Sequence, residues 1–279
     1  MKQPADTKSL TTAERYNALA SHKAGYRRGA LHAGDADAIK AIIETALRKD
    51  RPVPVMIYWA KGVRDEVTDI EKEGIAFVKK ALSQLDMPVD LHVVFADTHV
   101  AFNGIDLPES YIEQTRAAFD EIINTDDSKV RFSGLSRLSD YVNPDIAYTS
   151  REGGYDALRK HTEQSKQCNT EMLDVLGMRA EKYYQRDDTS PQDVARMYYE
   201  LCKSEKEPVG RAFPDTIFLT YNSSKQHDFS VPSGMPAFNM YAFDGHISDK
   251  PWNRPDTKTT EREHQQRIGM PRGCAEGVC

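Results

Sequence analysis

Two apolar runs joined by an amphipathic stretch decide the fold: Val53-Pro-Val-Met-Ile-Tyr-Trp59, then a helical pattern beginning at Asp69, then Leu91-His-Val-Val-Phe-Ala96. The first and last are short, β-branched and aromatic, without the polar alternation of a half-solvated strand, so each reads as a strand buried on both faces. Between them Ile70, Gly74, Phe77, Val78, Ala81, Leu82 and Leu85 recur at three- and four-residue intervals, with Asp69 as the expected cap and Pro88 closing the segment. A strand, a helix and a strand in that order imply a right-handed crossover and a parallel pair.

Outward from this unit, residues 11–22 and 35–49 read as amphipathic helices, the second capped by Asp35 and carrying Ile39, Ile42, Ile43, Ala46 and Leu47. Pro108 opens a helix to about Asn124, and Lys129-Val-Arg-Phe132 is a third strand. From Gly154 to about Glu205 the chain is helical and charged, broken at residues 187–191, where Ser190 caps a helix that has Pro191 in its first turn. Residues 216–221 and 237–243 return to strand composition and are expected as a late antiparallel edge pair. The expectation is therefore an α/β, Rossmann-like, mostly parallel sheet with helices on both faces, a helical insertion over 154–205 and a late antiparallel pair. One catalytic domain would span 1–252, and 253–279 would be a loosely ordered tail.

Of the 279 residues, 39% are hydrophobic and 29% charged, and the net charge of -6 supplies no basic face for a nucleic-acid backbone. A small-molecule substrate is expected instead. No segment approaches the roughly 20 apolar residues that span a bilayer, and Met1 to Leu10 lacks the apolar core of a signal peptide, so a cytoplasmic location is expected. Cys168 and Cys202 fall in helical patterns as small apolar residues; Cys274 and Cys279 sit in a polar ending, with too few ligands for a zinc site. No metal is expected. The strand candidates near the C-terminus could pair across a homodimer.

In an open parallel sheet ligands bind beyond the carboxyl ends of the strands, which gives weight to polar residues just past them. After the first strand come Trp59, Lys61 and Arg64, an aromatic plate with two cations suited to a phosphate or carboxylate. After the second comes a strand-to-loop segment, Asp97-Thr98-His99 through Asn103-Gly104, in which a carboxylate beside an imidazole makes a general acid/base unit. After the late strand, Tyr221 and Asn222 could orient a polar substrate group. Glu71 and Glu73 suit the positive end of their helix. His92 lies inside its strand and reads as structural. No GxGxxG follows the first strand, and GxxxxGK(S/T), HExxH and GxSxG are absent, which weakens the dinucleotide, P-loop, zincin and α/β-hydrolase readings.

The succession Pro54-Val-Met-Ile-Tyr-Trp-Ala-Lys61, Asp69 with Glu73, Val-Val-Phe-Ala-Asp97, Ile217-Phe-Leu-Thr-Tyr-Asn222 and Lys250-Pro251-Trp252 resembles the pyoverdine/dityrosine biosynthesis family, which includes the isocyanide synthases. Where that family carries Phe-Pro-Phe-Lys-Ser, this chain has Ile57-Tyr-Trp-Ala-Lys61-Gly62; where it carries Asp-Gly-Arg-Val-Phe, this chain has Asp97-Thr-His99-Val-Ala-Phe102. Lys61 and Asp97 carry over, whereas the Gly and Arg after the aspartate do not. The resemblance implies an amino-acid substrate, often Tyr or Trp, whose amine condenses with ribulose 5-phosphate as the source of the isonitrile carbon.

The expected function is thus a specialised-metabolism enzyme acting on the α-amine of an amino acid. Lys61 and Arg64 would hold an anion, Lys61 being also a catalytic candidate that can form an imine with a carbonyl if desolvated, Asp97 and His99 would move protons, and Trp59, Thr98, Asn103, Tyr221 and Asn222 would bind substrate. Two alternatives are an S-adenosylmethionine-dependent transferase or cyclase on a Rossmann-like fold, and a non-catalytic small-molecule-binding module.

Overall fold

The computed structural model describes residues 10–21, 35–61, 65–123, 128–142, 154–165, 189–220 and 230–239, with single positions at 173, 176, 177, 180 and 184. Its strands are β1 (Val53–Trp59), β2 (Val89–Phe95), β3 (Lys129–Gly134), β4 (Ile217–Thr220) and β5 (Ala237–Asn239). They form one five-stranded sheet in the order β3-β2-β1-β4-β5. Every ladder is parallel: Val53 to Trp59 face Val89 to Phe95, Asp90 to Phe95 face Lys129 to Gly134, Val55 to Ile57 face Ile217 to Leu219, and Phe218 to Thr220 face Ala237 to Asn239. The protein is an α/β, Rossmann-like fold.

The helices follow from the same chain: α1 (Thr12–Ser21), α2 (Asp35–Arg48), α3 (Asp69–Leu82), α4 (Asp97–Phe102), α5 (Glu109–Ile123), α6 (Leu135–Val142), α7 (Gly154–Gln164) and α8 (Pro191–Ala212). Strand side chains alternate between two cores. Val53, Val55, Ile57 and Trp59 of β1 join Ile39 and Ile43 of α2, Ile75 and Val78 of α3 and Phe119 of α5. Met56 instead joins Val94, Phe218, Leu135 of α6 and Val209 of α8, with Tyr58 packed against them. Helices thus cover both faces, which is why β1 is apolar along its length and all four positions of β4 are buried. Pro54 is tolerated in this central strand. Val53 N–H bonds Pro88 O, so the next amide would point toward β4, whose ladder begins only at Val55.

Three expectations are corrected. The late strands are parallel, not an antiparallel edge pair: β4 lies between β1 and β5, buried at all four positions, and residues 221–236 are long enough for the crossover a parallel pair needs. The helix over 69–82 is capped by Thr68, not Asp69; its side chain accepts from Glu71 N–H while Glu71 reaches back to the Thr68 amide, a closed capping box. The segment after β2 is no loop but the six-residue helix α4.

The charged helical stretch also does more than decorate the sheet. α8 begins as expected, with Ser190 accepting from Asp193 N–H and Pro in its first turn, but it continues through Ala212 and covers the second face. Gly210 lets it come close to residues 230–236, since a Cβ there would sit 1.9 Å from Ser233 O. Among the described residues no helix is long and apolar enough to cross a membrane. The tail from Asn253 lies outside the described residues, as do Cys168, Cys274 and Cys279.

Candidate functional site

β1, β2 and β3 progress to one side of the sheet and β4 returns to the other side of β1, so the direction of winding reverses between β1 and β4. The carboxyl edge at such a reversal is where ligands bind in open α/β sheets. The residues just past β1 and β2 form two polar clusters, one against each face.

On the α3/α5 side, Lys61 is 5% exposed and its Nζ lies 2.8 Å from Asp65 Oδ1. The ammonium also stands 5.9 Å from the centroid of the Tyr111 ring, near enough for a cation–π contact. Tyr111 is fixed in turn, its hydroxyl donating to Glu71 Oε1 at 2.6 Å. Burial first, and then the Glu71 carboxylate, push the Tyr111 phenol far above its ordinary value, so it keeps its proton. Glu71 therefore serves both the cap of α3 and this cluster. Trp59 is buried edge-on against Phe119 at 5.1 Å and so belongs to the core between β1 and α5. Arg64 lies outside the described residues.

On the α8 side, α4 brings Thr98 and His99 against α8. Glu205, 2% exposed, accepts from Thr98 Oγ1 at 2.6 Å on one oxygen and lies 2.7 Å from His99 Nε2 on the other. His99 Nδ1 is 3.1 Å from the Tyr198 hydroxyl, and Cys202 Sγ is 3.9 Å from Nε2. Tyr58 of β1 closes the floor edge-on to His99 at 6.5 Å, its hydroxyl buried with no hydrogen-bond partner among the described residues. Burial works against a charged His99 ring, but Tyr198, Glu205 and Cys202 together outweigh it, and the imidazole is held well above its ordinary pKa. Burial, followed by the Glu205 charge, drives the Tyr58 phenol the opposite way from ionisation.

Asp97 points elsewhere. Its Oδ1 accepts from Thr98 N–H at 3.0 Å and Ser136 N–H at 2.9 Å, and its Oδ2 accepts from Ser136 Oγ at 2.5 Å. The carboxylate thus ties the end of β2 to the first turn of α6, where a negative charge suits the helix dipole. Gly134 makes room, for a Cβ there would come within 2.4 Å of Asp97 Oδ2. Asp97 and Ser136 also line a crevice of about 270 Å³ with Ala101, Ile105, Asp106 and Leu107. Asn103 ends α4, its N–H bonded to the His99 and Ala101 carbonyls, and Gly104 follows at φ 71°. Tyr221 and Asn222 lie outside the described residues.

The sequence grouped Asp97 with His99; the structure separates them, sending one to α6 and the other to α8. Thr98 is wholly buried and engaged with Glu205. Reading the sequence for residues past strands missed Glu205, Tyr198 and Tyr58, and took Cys202 only as filling. One signal was available: Tyr198, Cys202 and Glu205 recur at four- and three-residue spacing, one stripe of a helix. His92, inside β2, is partnered on one ring nitrogen, its Nδ1 being buried with no hydrogen-bond partner among the described residues. Its Nε2 meets Ser133 Oγ at 2.8 Å, and burial, helped by Arg131, depresses it to about 4.

No family model matches the sequence, and no curated protein matches it. Among solved structures the chain is similar to the PvcA protein from Pseudomonas aeruginosa, with a TM-score of 0.50, 15% identity and 88% of each chain covered. At that identity the likeness is one of fold.

Proposed function

We propose that this protein is a biosynthetic enzyme of specialised metabolism, isocyanide-synthase-like, that condenses the α-amine of an amino acid with the carbonyl of a sugar phosphate such as ribulose 5-phosphate. The observation that carries the reading is His99, a half-buried imidazole joined to the buried Glu205 carboxylate just beyond the carboxyl end of β2. Amine addition to a carbonyl, and loss of water from the adduct, both move protons to and from oxygen, and such a pair is suited to both directions. Lys61, at the end of β1 beside the winding reversal, is the cation for a phosphate or carboxylate, displacing the exposed Asp65 as its partner. Arg64, Tyr221 and Asn222 are assigned to substrate binding on the strength of their places after β1 and β4. Asp97, with three donors already upon it, holds α4 and α6 in register at the edge of the site.

Two separate likenesses support the reading. The sequence elements around Lys61 and Asp97 resemble the pyoverdine/dityrosine biosynthesis family, and the likeness of fold to PvcA agrees with that resemblance. The experiment is to incubate the purified protein with each amino acid and ribulose 5-phosphate and to search for an isonitrile product by mass spectrometry. Product from an aromatic amino acid is expected. No turnover with any amino acid sinks the isonitrile reading.

A further inference from the structure

We propose that Glu71 is a positioning residue of the anion site, fixing the Lys61 ammonium from two sides: through the Tyr111 ring beside it, and through Thr68, which ends the segment that carries Asp65 to it. Its role toward a ligand rests on the reading of Lys61 as the cation for a sugar phosphate; the restraint on Lys61 itself rests on geometry.

A lysine is a point charge on a flexible four-carbon stem, and an ammonium that wanders must be ordered again each time an anion binds. Lys61 is already ordered. Its side chain is only 1% exposed, yet the carboxylate it meets at 2.8 Å, Asp65 Oδ1, belongs to a side chain that is 76% exposed. The ammonium therefore lies one carboxylate below the surface, and an anion reaches it by taking the place of Asp65. What an incoming phosphate meets then depends on how firmly the ammonium and the Asp65 segment are held.

Glu71 holds both. Its Oε1 accepts from the Tyr111 hydroxyl at 2.6 Å, and the ring of that wholly buried tyrosine has the Lys61 Nζ 5.9 Å from its centroid. A phenol that donates to a carboxylate has a more electron-rich ring, which strengthens the pull of its face on a cation. The second oxygen, Oε2, accepts from the Thr68 amide at 2.8 Å and the Thr68 hydroxyl at 2.9 Å, three residues past Asp65. A further pin comes from α5, where Gln114 Oε1 accepts from Val67 N–H at 3.1 Å. Tyr111 and Gln114 are three residues apart and so share one face of α5. That face and the Glu71 carboxylate together fix the ring and the Asp65 segment.

Helix capping accounts for only half of this. A capping box needs one oxygen on the N-cap amide, which Glu71 Oε2 supplies, and Gln serves there as Glu does. The Tyr111 contact adds nothing to the cap. Because the two roles use different oxygens, substitution separates them. Y111F removes the hydroxyl but keeps the ring and the cap, and E71Q keeps the cap but removes the charge facing Tyr111. Glu71 meets no ligand, so its effect falls on affinity and not on the chemical step.

The test compares the full chain as wild type, Y111F, E71Q and K61M, each checked by thermal melting. Without ligand, the proteins react with limiting acetic anhydride, and the acetylation of each lysine is followed by mass spectrometry. In wild type Lys61 reacts far more slowly than Lys72, which is 57% exposed. Y111F and E71Q each speed Lys61 by about three- to tenfold, the loss of one hydrogen bond, and leave Lys72 unchanged. In calorimetric titration with ribulose 5-phosphate the same two variants bind about three- to tenfold more weakly, and in turnover they raise KM at wild-type kcat. Lys61 acetylation at the wild-type rate in both variants overturns the restraint, and the pair keeps the test decisive if one fails to fold. Faster acetylation with wild-type affinity in both, while K61M binds weakly, overturns Glu71 as a residue of the anion site. Wild-type affinity in K61M removes Lys61 from the anion site, and the role of Glu71 toward a ligand falls with it.

Discussion

His99 Nε2 and Glu205 Oε2 lie 2.7 Å apart although 106 residues separate them in the chain, and Glu205 is the more deeply buried of the two. Neither group is stable in that place without the other. Truncating Glu205 to Ala strands the Thr98 hydroxyl and the imidazole together, and the expected cost is about 3–5 kcal/mol, read from urea unfolding of E205A against wild type. E205Q keeps an acceptor for Thr98 and is expected to lose less. Equal midpoints for E205A and wild type would falsify the pair as a source of stability.

The two histidines of the β2–α4 segment give opposite pH signatures. His99 has a raised folded pKa, so its contribution is fully present below the ordinary histidine value and is lost as pH rises through the folded value. His92 is depressed from 6.5 to about 4, so its neutral ring favours the native state above 6.5, and stability is lost as pH falls toward 4. Thermal melts from pH 7 to 4 are expected to show a smaller fall for H92Q than for wild type, at the cost of the Ser133 contact.

Asp97 is expected to matter more for stability than for rate. D97A leaves the Ser136 N–H and hydroxyl without their acceptor and costs about 1–3 kcal/mol. D97N retains one acceptor oxygen and is expected to turn over substrate at close to the wild-type kcat, with a lower melting temperature. G134A, which drives a methyl into Asp97 Oδ2, is expected to mimic D97A in melting experiments. A D97N enzyme that melts normally but has lost kcat would return Asp97 to the chemistry.

Lys61 is the candidate anion site, and its substitution should separate binding from folding. K61M places an unbranched apolar side chain against the Tyr111 ring, so the fold is expected to survive. Loss of one charged hydrogen bond to a phosphate weakens binding by about ten- to a hundredfold. Calorimetric titration of wild type and K61M with ribulose 5-phosphate reads the difference; identical affinities would remove Lys61 from the anion site.

How much of this was legible in the sequence depends on whether a residue's role is local. β1 and β2 could be read because burial on both faces leaves a run such as Val93-Val94-Phe95 with no polar alternation. The helix α8 could be placed from Ser190 and Pro191, whose capping chemistry acts within a turn. α4 was hidden, since six residues directly after an apolar strand are too few to display a helical period. The direction of β5 was hidden as well, because three residues carry no pattern that distinguishes a parallel from an antiparallel partner. Glu205 shows the limit most clearly. It sits within Ser204-Glu-Lys-Glu207, where it resembles its solvated neighbours, and only the docking of α8 onto α4 sets it apart.

That docking makes the order of assembly matter. β1, β2 and β3, with α3 and α5 between them, are complete in the chain before residue 142, and His99 is already in place on their edge. Both ring partners arrive together on one later helix, so an imperfectly seated α8 leaves β1, β2 and β3 paired but His99 without its partners. The raised pKa of His99 is therefore not a property of any one segment but of a single joint between α4 and α8.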